Sequence, residues 1–107
     1  MKARTLVGLA IVLSLAGGPA LAQHADGSSF MDAMKKMEKD MPKTHSGNID
    51  VDFAKMMIPH HQAAIDMAKI EVKSGKDPML KKMAEKMIKD QEKEVADLKE
   101  WLAKNSK

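Results

Sequence analysis

Phe53-Ala54-Lys55-Met56-Met57-Ile58-Pro59-His60-His61-Gln62-Ala63-Ala64-Ile65-Asp66-Met67-Ala68 is the stretch that decides how this chain folds. At about 100° per residue, Phe53, Met57, His61, Ala64, Ala68 and Val72 fall on one stripe, while Lys55, Gln62, Asp66, Lys69 and Lys73 lie opposite. The pattern predicts an amphipathic helix from Asp50 or Asp52 to Ser74, with Gly75 expected as a left-handed cap. Pro59 inside it removes one backbone donor and crowds the Lys55 carbonyl, so a kink is expected there.

A further helix on each side follows from the same reasoning. Asp77 and Pro78 form an N-cap and first-position pair, and Leu80, Ala84, Met87, Ile88, Gln91, Val95, Leu98 and Leu102 continue as one apolar face to about Lys104, flanked by Met83 and Trp101. The short Gly75-Lys76 turn forces these two helices into an antiparallel hairpin. Upstream, Phe30, Met34, Met37 and Met41 recur at three and four residues, predicting a shorter helix from about Ser29 to Met41, ended by Pro42. Pro42 to Asp50 is rich in turn formers and reads as a linker. The short helix is expected to cover part of the seam between the other two. The fold class is therefore all-α. Its thin core suggests closure of a four-helix bundle by dimerisation.

Composition excludes several functions. With no cysteine, disulfides, thiolate zinc sites and thiol redox chemistry are absent, so any soft metal ligand must be one of the 11 methionines. Two phenylalanines and one tryptophan leave no aromatic platform for single-stranded nucleic acid. Lys2 and Arg4 are the basic start of a leader whose apolar run is Leu6 to Ala16 and whose cleavage site is Ala20-Leu21-Ala22. That run falls short of the ~20 residues that span a bilayer, which favours cleavage and export to the periplasm or beyond, with no membrane attachment afterwards. Removing Lys2 and Arg4 from the 18 basic residues leaves near balance with the 15 acidic ones, against a nucleic-acid footprint. The domain reading is a leader at 1–22, a flexible polar tail at 23–29 containing His24, and one Met/His-rich helical domain at 30–107.

The chemistry concentrates at Met56 to His61. Met56 stands four residues before His60, and Met57 four before His61, so each imidazole has a thioether one turn away. The adjacent histidines point about 100° apart and recruit ligands from different flanks. Thioether sulfur suits Cu(I) or Ag(I), and imidazole serves Cu(I) and Cu(II). A di-iron site needs carboxylates one turn from the histidines, but Met57 and Ile58 precede them and Ala63, Ala64 and Ile65 follow. The ligand pairs expected are His61 with Met57 and His60 with Met56 or Met67, completed by Met83 or Met87 from the third helix. A Met stripe is ordinarily core packing, and His61 taken alone reads as a core imidazole bonded across the hairpin to Gln91 or Glu94. His45 in the linker is expected in solvent. No nucleophile–base pair or carboxylate pair stands out, so the chain reads as a binding protein and not an enzyme.

Asp52-Phe53, Met56-Met57-Ile58-Pro59-His60-His61-Gln62 and Ala64-Ile65-x-Met67-Ala68, followed by Ile88-x-x-Gln91-x-x-Glu94-Val95-x-x-Leu98-x-x-Trp101-Leu102, resemble the exported "domain of unknown function 305" family. Within it the chain is similar to CopM-type periplasmic copper-resistance proteins. The resemblance covers about Asp50 to Leu102. It implies a ferritin-like helical fold and copper as the bound metal, with Met57, His60 and His61 as the corresponding positions. On that footing the expected partners are copper ions, copper efflux or chaperone proteins, and a second copy of the chain. The competing expectation is a metal-independent periplasmic chaperone or interaction module with an adaptable Met-rich surface.

Overall fold

Local chemistry sets most of the helix boundaries. The computed structural model describes residues 20–106 and contains three helices, α1 Ala20–Asp40, α2 Ile49–Ser74 and α3 Pro78–Asn105, with no strand among the described residues. Asn48 opens α2, its side-chain oxygen accepting the amides of Asp50 at 3.0 Å and Val51 at 3.2 Å. Asp77 opens α3 by accepting the Leu80 amide at 2.9 Å, with Pro78 in the first turn as expected. α2 runs through Pro59 as one helix. Met41 closes α1 onto the Met37 carbonyl at 2.9 Å, and Pro42 stops it.

Two expectations about the ends need correction. The first helix starts at Ala20 and not at Ser29, so residues 23–29, expected as a polar flexible tail, are helical backbone. Ala20, Leu21, Ala22, Gln23 and Ala25 are good helix formers, and they carry the helix past Gly27. The leader at 1–22, apart from residues 20–22, lies outside the described residues. Gly75 does end α2, but with φ −66° and ψ 156°, extended and not left-handed. Its amide reaches the Glu71 carbonyl at 2.8 Å, and a Cβ there would stand 2.5 Å from that same oxygen. Glycine is thus required by close approach. Gly75→Ala is expected to lower stability by about 1 kcal/mol, read as a reduced midpoint in urea with an unchanged slope.

The packing order is α1 on α2 and α2 on α3, while α1 and α3 do not pack on each other among the described residues. The central helix is therefore sandwiched. Ala63 and Ile65 are both buried although side chains two residues apart point about 200° apart around a helix, which requires neighbours on two sides. This corrects the single stripe read from the sequence, in which Phe53 headed the core. Phe53 is 60% exposed, and Val51, Ala54, Ala63, Ile65 and Ala68 are what α2 buries. On α3 the expected face holds better, with Ala84 and Val95 buried and Ile88, Gln91, Leu98 and Leu102 half-buried. α1 borders the seam without packing on α3, and an apolar trough stays open between them, lined by Phe30 of α1, Ala64, Met67 and Ala68 of α2, and Leu80, Met83 and Met87 of α3.

The α1–α2 linker is folded back on the helix it precedes. Ser46 donates its amide to Asp52 Oδ1 at 2.8 Å, Asn48 donates its amide to Ser46 Oγ at 3.1 Å, and Gly47 takes the left-handed step at φ +85°. Hydrogen bonding from Ser46, its hydroxyl first and its amide second, holds the Asp52 carboxyl below its ordinary value of 3.8. A carboxyl whose value is lowered by folding stabilises the fold fully above its unfolded value and loses that contribution as pH falls through the folded one. The Asp52 titration followed by NMR should therefore have its midpoint below 3.8, and Ser46→Ala should move it upward.

Candidate metal centre

His61 sits on the side of α2 that faces α3, with 17% of its side chain exposed. Its Nε2 lies 2.5 Å from Glu94 Oε2 across the hairpin. The expected core contact to Glu94 is thus present. Facing a carboxylate, Nε2 carries the proton, which in the neutral ring leaves the lone pair on Nδ1. That Nδ1 is buried and has no hydrogen-bond partner, and the Oε1 of Gln91 on the facing helix is in the same condition. A buried nitrogen lone pair without a partner is costly for folding and useful for a ligand.

Met57, one turn before His61, lines the same cleft of about 260 Å³ together with Phe53, Glu94, Asp97 and Leu98. Thioether, imidazole and carboxylate converge there from two helices. Asp97, which sequence reasoning missed, is tied to Lys93 at 2.7 Å. The signal that could have found it is hairpin register, since Asp97 follows Glu94 by three residues and shares its edge.

His60 has a different setting. It is exposed, its ring centroid is 6.2 Å from that of His61, and the two planes are tilted by 56°, in keeping with separate surroundings. The thioethers expected beside it open onto different cavities: Met56 lines the corner between α1 and α2, and Met67 lines the trough. Met67, Met83 and Met87 do come together in that trough, a cavity of about 270 Å³ whose lining holds no imidazole. Among the described residues no three imidazole or carboxylate groups converge as a cation site. The fold brings Met57 and His61 to one cleft, and Met67, Met83 and Met87 to a trough that they share with Phe30, Leu80 and Glu71.

An all-α frame with thioethers and an imidazole grouped between its helices defines a Met/His-rich helical protein. The chain belongs to the family of the domain of unknown function 305 (DUF305), which matches residues 13–102. A search among curated proteins finds no match.

Proposed function

We propose that this protein is a periplasmic copper-binding protein, holding Cu(I) for sequestration, resistance or delivery, in the manner of the CopM-type proteins its sequence resembles. The observation that carries the reading is His61, which lines one cleft with Met57, has Nε2 anchored on Glu94 and keeps a buried Nδ1 without a hydrogen-bond partner. A carboxylate behind an imidazole fixes its tautomer and makes it a stronger donor. Neutral sulfur and neutral nitrogen suit a soft monovalent ion, and Glu94 and Asp97 give the cleft the negative charge that attracts it. Cu(II) and Ag(I) would use the same groups with less or equal preference for sulfur. No helix among the described residues is long and apolar enough to cross a membrane, which is compatible with a soluble carrier.

A ferritin-like bundle needs a fourth helix, and a second copy laid into the trough over Ala64, Ala68 and Ala84 would supply one, because these small side chains permit close approach. The exposed Met83 and Leu80 also favour the alternative, a metal-independent chaperone. An anaerobic Cu(I) titration of residues 23–107 against a chromophoric chelator, with mass measured by sedimentation, separates the two. Stoichiometric binding is expected. A chain that binds no Cu(I) yet suppresses client aggregation would establish the alternative.

A further inference from the structure

We propose that Met83 and Met87 of α3 form a methionine oxidation site, whose modification by hydroperoxides turns the apolar trough between the helices polar. The two thioethers stand one turn apart and both line the trough. Met83 is 53% and Met87 42% exposed, so each is open to a small oxidant in solution, whereas Met37, Met41, Met57 and Met67 are half-buried. With no cysteine in the chain, thioethers are its most readily oxidised groups. Position gives the reaction a consequence here that it lacks at Met79, which is more exposed but does not line the trough.

The chemistry is a two-electron oxygen transfer. A sulfur lone pair attacks the outer oxygen of the hydroperoxide, and the S–O bond forms as the O–O bond breaks. The proton of the attacked oxygen passes to the leaving one, which departs as water from hydrogen peroxide or as an alcohol from an organic hydroperoxide. The sulfoxide left behind is polar and carries an acceptor oxygen in place of an apolar thioether. Of the nine residues lining the trough, Glu71 alone is charged, the others are apolar, and none has a side-chain donor for that oxygen. The oxidised trough therefore holds water in place of apolar groups. A dithiol-dependent sulfoxide reductase, which removes the oxygen as water, would restore the apolar surface. The inference is independent of the Cu(I) reading, since the reaction needs no metal.

The test adds hydrogen peroxide to the metal-free protein in the presence of a chelator, follows each methionine by peptide mapping, and reads the trough with an apolar fluorescent dye. Met83 and Met87 should oxidise about tenfold or more faster than Met57, with Met79 as the exposed reference. Dye fluorescence should fall by about half or more as they oxidise, with the helical circular-dichroism signal retained. A Met83→Leu/Met87→Leu variant, which keeps the apolar bulk without the sulfur, should hold its dye signal under the same treatment. Oxidation of Met83 and Met87 no faster than Met57, a dye signal unchanged by their oxidation, or an equal fall in the leucine variant would overturn the site. Loss of helix on oxidation would do so too, because the sulfurs would then be packing the core.

Discussion

His61→Ala should reduce Cu(I) affinity by about a hundredfold or more and remove one tightly held equivalent, with the helical circular-dichroism signal retained. The cleft has one buried nitrogen donor, and alanine deletes it while leaving Met57 alone with two carboxylates. Glu94→Gln should cost less, about tenfold to a hundredfold, since the imidazole remains but loses the anion that fixes its tautomer and raises its basicity. Met57→Leu keeps the volume and removes the sulfur, and its loss should fall on Cu(I) more than on Cu(II). His60→Ala is the internal comparison: its ring is exposed and its surroundings are separate, so its effect on the tight equivalent should be small. The graded series is read by chelator competition. Wild-type affinity in His61→Ala would sink the assignment of the cleft, whatever the other variants do.

The contrast between His60 and His61 shows what the sequence could and could not disclose. Their separation by helical rotation, and the thioether one turn before each, follow from spacing alone. The Glu94 contact was also legible, because the three residues between Ser74 and Pro78 leave little freedom in the register of α2 against α3. The helix start at Asp77 was readable because a cap is a few atoms long, whereas Asn48, read as a linker residue, caps α2 ahead of the start expected at Asp50 or Asp52. The errors are tertiary. Phe53 was placed in the core because a one-sided helix was assumed, and only the position of α1 makes α2 two-sided. Met56 lines a cavity with Asp52 and the linker residues Pro42 to His45, a neighbourhood that spacing along α2 does not disclose.

The second large effect concerns the core. Ile65→Ala should destabilise the protein by about 2 to 4 kcal/mol, because it removes three buried carbons and the helices on both sides of α2 cannot both move in to fill the space. Ile65 is 2% exposed and is the largest side chain in a core otherwise made of alanines and valines. Small domains are held by roughly 5 to 10 kcal/mol, and each kcal/mol shifts the melting midpoint by about 4 to 8 °C at this size, so a fall of about 10 °C or more is expected in calorimetry. Met83→Ala provides the test of what covers the trough. In an isolated chain Met83 is 53% exposed, and its truncation should cost well under about 1 kcal/mol, as surface changes do. If a second copy closes the bundle over the trough, the same sulfur becomes core, and Met83→Ala should approach the Ile65→Ala loss, with a midpoint that depends on protein concentration. Equal midpoints for Met83→Ala and the unaltered protein across a hundredfold concentration range would mean that the trough stays open to solvent. It would then be free to present Met67, Met83 and Met87 to an arriving ion.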